Sequence, residues 1–269
     1  MRAKPAVVKG SPRSLVNTKG EAGSCSRCRR RVKRGTLSTH PILGDELRAL
    51  RSCNQWTAGH GIPLVHFSTD YVFDGSGSRP WREDDRPHPP SIYGASKLAG
   101  EEAIRAANGP HLIIRTEWVY AASGKNFLRT ITRLASERKG LRIVADQCGA
   151  PTSAGLIADV VAQLLRPGPR TLAERFATAG GLLNVAASGE TTWHGFAVAI
   201  IEGLKARGVK FAVECIVPIA TDDYPTKAKR PANSRLDLTR LTQVFGIEPP
   251  RWEEALVLEL DQVASEFGH

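Results

Sequence analysis

Ile62-Pro63-Leu64-Val65-His66-Phe67 runs straight into Ser68-Thr69-Asp70-Tyr71-Val72-Phe73-Asp74-Gly75, and further on comes Tyr93-Gly94-Ala95-Ser96-Lys97-Leu98-Ala99-Gly100-Glu101. The first six residues are an apolar run between Gly61 and a cluster of hydroxyl and acidic residues, which reads as a buried strand. Tyr93 to Ala107 reads as a helix, and His111 to Arg115, with Leu112-Ile113-Ile114 at its centre, as the next strand. The alternation continues with a helix from Asn126 to Arg138, a strand Leu141-Arg142-Ile143-Val144, a helix from Ser153 to Leu165 and a strand Leu182-Leu183-Asn184-Val185. Thr192 can cap a helix running to about Lys205; Phe211 to Ile219 reads as a strand, and Leu238 to Phe245 and Trp252 to Glu266 as helices. Strands alternating with amphipathic helices predict an α/β fold around a parallel sheet.

Upstream of Gly61 this pattern stops. Pro5, Gly10, Pro12, Gly20, Gly23, Gly35 and Pro41 interrupt every candidate element, and only Ile42 to Leu50 is expected to form a short helix. Charge divides at the same place: residues 1–60 hold 13 Lys and Arg against 3 Asp and Glu, whereas residues 61–269 hold 24 against 24. The basic run Arg29-Arg30-Arg31-Val32-Lys33-Arg34 suits either a polyanion or plain solvation, and nucleic-acid binding is the weakest of the functional readings. A chain of 269 residues with 41% hydrophobic and 24% charged residues is globular, which excludes wholesale disorder, collagen and a coiled-coil rod. No apolar run approaches the roughly 18 residues of a membrane span, and no secretory signal is readable, so a soluble cytoplasmic protein is expected. The five cysteines, Cys25, Cys28, Cys53, Cys148 and Cys215, are odd in number and scattered, which predicts reduced thiols. Cys25 and Cys28 have the spacing of half a zinc site without a second pair, and His66 and His194 lack ligand spacing, so no metal site is expected from the residues.

The chemistry concentrates in the opening stretch. Hydroxyls at the carboxyl end of a parallel strand face the crevice where open α/β sheets bind ligands, which places Thr69 to touch substrate. Tyr93 and Lys97 are one helical turn apart and share a face, and an ammonium beside a phenol favours the phenolate. Such a phenol can give a proton to a carbonyl oxygen, or take one from an alcohol, while hydride moves at the carbon.

Together, the Ser68–Gly75 and Tyr93–Glu101 stretches resemble the extended short-chain dehydrogenase/reductases, and most closely the branch that reduces the C4 ketone of dTDP-4-dehydro-L-rhamnose with NADPH or NADH. Arg115-Thr116-Glu117-Trp118-Val119-Tyr120, Asp146-Gln147-Cys148-Gly149-Ala150-Pro151-Thr152 and Arg230-Pro231-Ala232-Asn233-Ser234-Arg235-Leu236-Asp237 agree with it, so the resemblance covers about residues 61–269. It implies a Rossmann-like parallel sheet with a smaller sugar-nucleotide domain. Residues 61–150 would carry the catalytic part and 151–269 the rest of the sheet interleaved with the substrate domain. It further implies Tyr93 as general acid and Lys97 as the group that lowers its pKa and holds the nicotinamide ribose. Thr69 would bond the sugar oxygen at the reacting carbon, Asp70, Tyr71 and Trp118 would line the sugar pocket, and Phe67 and Ser68 would lie against the cofactor. Asp70 could instead cap the following turn, and Tyr71 and Trp118 could be packed aromatics. Arg230, Asn233 and Arg235 suit a diphosphate or a scaffold role, and Lys227, Lys229 and Arg230 a solvated cluster. A homodimer with Mg2+ at its interface is expected only from the family.

One element of the family pattern is missing. A dinucleotide site needs a glycine-rich turn after its first strand, because the pyrophosphate rests on backbone N–H groups at the next helix start, and neither G-x-x-G-x-x-G nor G-x-G-x-x-G precedes the catalytic strand. Three βα units of roughly 30 residues each would also need about 90 residues before it. Residues 1–60 are therefore expected not to form the cofactor half-domain, leaving the sheet incomplete on that side. Three other functions compete: a non-catalytic binding or regulatory protein on the same scaffold, like the regulatory subunit of methionine adenosyltransferase; a nucleic-acid-binding protein led by the basic arm; and an epimerase or dehydratase, disfavoured because no acidic pair follows Thr69.

Overall fold

In the computed structural model the described residues are 6–7, 41–224 and 230–267. The basic run at Arg29–Arg34, the Cys25–Cys28 pair, Gly10, Gly20 and Gly23, and Lys227 and Lys229 lie outside them.

A two-residue strand, β1 (Ala6–Val7), precedes helix α1 (Pro41–Gly59), which at 19 residues is twice the length expected from Ile42 to Leu50. Gly44 and the polar Arg51–Gln55 stretch blurred its period; packing of Leu50 against the α2 side of the sheet supplies what local propensity does not. Strand β2 (Leu64–Thr69) starts two residues after the apolar run begins and takes in Ser68 and Thr69. A single 3-10 turn (Asp70–Val72) follows, then α2 (Ile92–Ala106), whose first turn is capped by Ser91 accepting the Gly94 N–H at 3.1 Å. Strand β3 (His111–Thr116) and the short β4 (Val119–Tyr120) lead to α3 (Phe127–Glu137), capped by Asn126, and β5 (Gly140–Val144). The chain goes on through β6 (Cys148–Gly149), β7 (Thr152–Ser153), α4 (Ala154–Leu164) and α5 (Leu172–Thr178). It ends with β8 (Leu182–Asn184), β9 (Thr191–Thr192), α6 (Trp193–Ala206), β10 (Cys215–Ile219), α7 (Thr239–Phe245) and α8 (Trp252–Ser265).

The main sheet has the order β1-β2-β3-β8, every pair parallel, with Val65 opposite Leu112 and Thr69 opposite Thr116. The pleat sorts its side chains. Leu64, Ile113 and Leu182 pack with Ile104 of α2 on one face, while Val65, Leu112, Ile114 and Leu183 join the large core under α3, α4, α6 and α8 on the other. Burial on both faces is why these strands read as continuous apolar runs instead of alternating ones. The strand expected from Phe211 is only Cys215–Ile219. It pairs with β5 in a separate two-stranded sheet, and the residues before it pack as an irregular approach in which Val213 donates to Ala135. Helix α5 carried no strong sequence signal, although Thr171 and Glu174 form a reciprocal cap at its start.

Candidate active site at the end of strand β2

The candidate residues gather where β2 stops. Thr69 ends the strand in extended conformation and caps the 3-10 turn: its Oγ1 accepts the Tyr71 N–H at 3.3 Å and donates to Asp70 Oδ1 at 2.9 Å. The turn cap expected as one role for Asp70 thus belongs to Thr69. Asp70 is buried, and its Oδ2 has no hydrogen-bond partner among the described residues. Burial pushes its carboxyl up to about 7, with the Ser234 and Thr69 side chains pulling back towards the charged form. Tyr71 packs edge-on against Tyr93, ring centroids 5.8 Å apart, and its phenol is pushed up to about 12 by burial and by Asp70.

Helix α2 presents Tyr93 and Lys97 on successive turns. Tyr93 is 53% exposed, and Lys97 Nζ donates to the Phe67 carbonyl of β2 at 2.7 Å, which ties the helix to the strand end. Gly94 lets the two approach: a Cβ there would collide with the Tyr71 carbonyl oxygen. Phe67 is half-buried against the large core, so what it offers to this region is its carbonyl.

Ser68 turns the other way. Because neighbouring strand residues point to opposite faces, its hydroxyl lies under α2 and donates to Glu101 Oε1 at 2.6 Å. Glu101 is clamped by Arg115 of β3 through two hydrogen bonds, Nε at 2.9 Å and a terminal nitrogen at 2.7 Å, with both side chains buried. His66, on the same face, has no hydrogen-bond partner at Nδ1 among the described residues, and burial followed by the Lys97 charge lowers it to about 4, so it stays neutral as a core residue. Sequence reasoning assigned no role to Glu101 or Arg115, although Glu101 lies one turn beyond Lys97 on the same helix face.

Trp118 comes from the loop after β3 and is only 9% exposed; its ring stacks on Trp193, centroids 3.7 Å apart and planes within 13°. Its backbone is left-handed at φ +42, a conformation a bulky residue adopts only when its surroundings enforce it. Arg235 and Asn233 are engaged with the protein: Arg235 bonds Asn233, Glu190 and the Ser78 carbonyl, and Asn233 donates to the Arg79 carbonyl. Arg230 is exposed, and its charge reaches Tyr71. A separate depression of about 580 Å3 is lined in part by Glu83, Arg115 and Arg240; Arg115 pairs with Glu101 beneath it, and Arg240 with Glu83 and Asp84. Among the described residues no group of three or more His, Cys, Asp or Glu is arranged to hold a metal ion, so the Mg2+ expectation gains no support. No helix among them is long and apolar enough to cross a membrane.

A parallel sheet whose strand β2 ends in a threonine, followed by a helix that carries a tyrosine and a lysine one turn apart, defines the class: a Rossmann-like α/β protein. The chain belongs to the family described as RmlD substrate binding domain, whose model matches residues 46–265. It is similar to the dTDP-4-dehydrorhamnose reductase of Burkholderia thailandensis, 50% identical over 197 residues that make up 72% of this chain and 66% of that protein. Against the dTDP-4-dehydrorhamnose reductase of Aggregatibacter actinomycetemcomitans it is 41% identical over 229 residues, 84% of this chain and 75% of that protein. The crystal structure of dTDP-4-dehydrorhamnose reductase from Bacillus anthracis in complex with NADP superposes with a TM-score of 0.69 at 29% identity, covering 80% of this chain and 71% of that one. The chain therefore spans just under two thirds, 66%, of the length of the Burkholderia relative.

Proposed function

We propose that this chain carries the sugar-binding and proton-donating part of an NAD(P)H-dependent reductase acting on the C4 ketone of dTDP-4-dehydro-L-rhamnose. The observation that carries the reading is the tie between α2 and β2. Lys97 reaches the Phe67 carbonyl and Gly94 abuts the Tyr71 carbonyl, so the helix that carries Tyr93 and Lys97 is tied to the strand end that holds Thr69, which supports the reading. In this reading Tyr93 gives its proton to the ketone oxygen, and the Lys97 ammonium favours the resulting phenolate. Thr69 turns its hydroxyl from Asp70 to the same oxygen, and Asp70 and Tyr71 border the sugar. Trp118 walls the far side. The cofactor, when bound, supplies hydride. Lys97 and Tyr93 have the donor chemistry for its nicotinamide ribose, while a glycine-rich pyrophosphate turn is absent from the sequence before β2.

The test is oxidation of NADPH, followed by absorbance, in the presence of dTDP-4-dehydro-L-rhamnose. The unaltered chain is expected to turn over, and Tyr93→Phe to lose at least about 100-fold in kcat, the lower end of the range for general acid catalysis. Turnover unchanged in Tyr93→Phe would remove the proton-donor assignment. A chain that binds the sugar nucleotide yet oxidises no NADPH would belong to the non-catalytic class.

A further inference from the structure

Glu117 sits beside Trp118 and is almost wholly buried, yet none of the roles above uses it. Its two oxygens accept backbone N–H groups from two distant parts of the chain: Oε2 from Ala150 at 2.9 Å and Oε1 from Leu236 at 3.2 Å. The space around it admits no slack. A Cβ on Gly149 would lie 2.5 Å from Glu117 Oε2 and 2.7 Å from the Trp118 ring. The Trp118 carbonyl is itself held by the Thr152 N–H at 3.2 Å. The left-handed Trp118 backbone is thus bracketed by the 149–152 turn on one side and the strand-like segment at Leu236 on the other, and Glu117 is the side chain that touches both.

We infer that Glu117 is a positioning residue for the sugar pocket: by joining the Ala150 and Leu236 amides it holds Trp118 in its left-handed backbone and keeps the Trp118 ring stacked on Trp193. Trp118 and Asp70 are the pocket walls of the proposed reductase, so the consequence for ligand rests on that reading, whereas the positioning itself does not. Glu117 and Asp70 are also close enough to interact electrostatically. Burial first, then the Asp70 charge, holds the Glu117 carboxyl well above the usual carboxylate range, with the Ala150 and Leu236 amides and Arg235 opposing. A glutamine would keep the size and one acceptor while presenting an N–H to a second N–H. An alanine would leave both amides buried and unmet.

Two indoles stacked face to face give an exciton couplet in ultraviolet circular dichroism, which reports the Trp118–Trp193 geometry without any ligand. The full chain, Glu117→Gln, Glu117→Ala and, as reference, Trp118→Phe are compared, each with its thermal unfolding curve. Both Glu117 variants are expected to lose the couplet as Trp118→Phe does, while Glu117→Gln still unfolds cooperatively. A couplet intact in either Glu117 variant overturns the inference. So does loss of the couplet only in chains that no longer unfold cooperatively, since that marks a general structural role. In a second arm dTDP-L-rhamnose is titrated, and Glu117→Gln is expected to bind roughly tenfold more weakly, about one hydrogen bond's worth of positioning. If the unaltered chain does not bind dTDP-L-rhamnose while the couplet behaves as expected, the reductase reading falls and the positioning role stands.

Discussion

Asp70, which opens the 3-10 turn, lies four residues beyond His66 of β2, and their titrations oppose each other. Asp70 is raised from 3.8 to about 7 by burial, so the folded state binds its proton more tightly than the unfolded chain; its contribution is full below pH 3.8 and falls away as pH rises to about 7. His66 is lowered from 6.5 to about 4, so its contribution is full above pH 6.5 and is lost as pH falls towards 4. The Asp70 shift is worth roughly 4 kcal/mol across its window and the His66 shift roughly 3 kcal/mol. Removing one should expose the other. Asp70→Asn is expected to become steadily more stable between pH 4 and 6.5, and His66→Gln steadily less stable, with the unaltered chain flatter than either. Urea midpoints across that range would show it, and parallel slopes in all three chains would contradict it.

Helix α2 is the element on which the site depends, because it carries Tyr93 and Lys97 and is located by three separate contacts: Gly94 on the Tyr71 carbonyl, Lys97 on the Phe67 carbonyl, and Glu101 on Ser68 and Arg115. Gly94→Ala must displace either the helix or the 3-10 turn, and overpacking of this kind costs about 1–3 kcal/mol. Because the shift falls next to Tyr93, kcat is expected to drop further than stability does; a Gly94→Ala chain with unchanged kcat would show that the close approach is incidental. The Glu101–Arg115 pair behaves differently. Removing one partner, as in Arg115→Met, leaves the buried Glu101 carboxylate with only Ser68 and the longer 3.4 Å contact to Arg105 and is expected to cost about 3 kcal/mol, whereas replacing both with methionine should recover much of the loss. A double variant no more stable than the single ones in a denaturant titration would mean that packing under α2, and not the charge, is what matters there.

The whole chain has an uneven balance of binding parts. The residues proposed to face the sugar, Thr69, Asp70, Tyr71 and Trp118, lie at the ends of β2 and β3 and in the turns that follow them, whereas the sequence before β2 contains no glycine-rich motif and holds the entire excess of positive charge. A ligand that binds only the folded state stabilises it by about 2.7 kcal/mol at a hundredfold excess over Kd. Under the proposed function, dTDP-L-rhamnose is therefore expected to raise Tm more than an equal concentration of NADP+ does. An equal or larger shift with NADP+ would show that a pyrophosphate site exists without the expected glycine pattern.

Much of this protein was legible before any coordinates. The β2, β3 and β8 strands, the helices capped by Ser91, Asn126, Ser153 and Thr192, and the Tyr93–Lys97 pairing one turn apart all follow from short-range rules, because apolar period and cap chemistry act over a few residues. Local rules failed where packing outweighed them: α1 runs to 19 residues through a stretch with little period, and the strand expected from Phe211 begins only at Cys215. The side to which Ser68 points, the partner that meets Glu101, and the union of Ala150 and Leu236 through one carboxyl had no signature in the chain. Those contacts join residues 33 and 119 positions apart, and a buried carboxylate takes whichever donors the folded backbone brings to it.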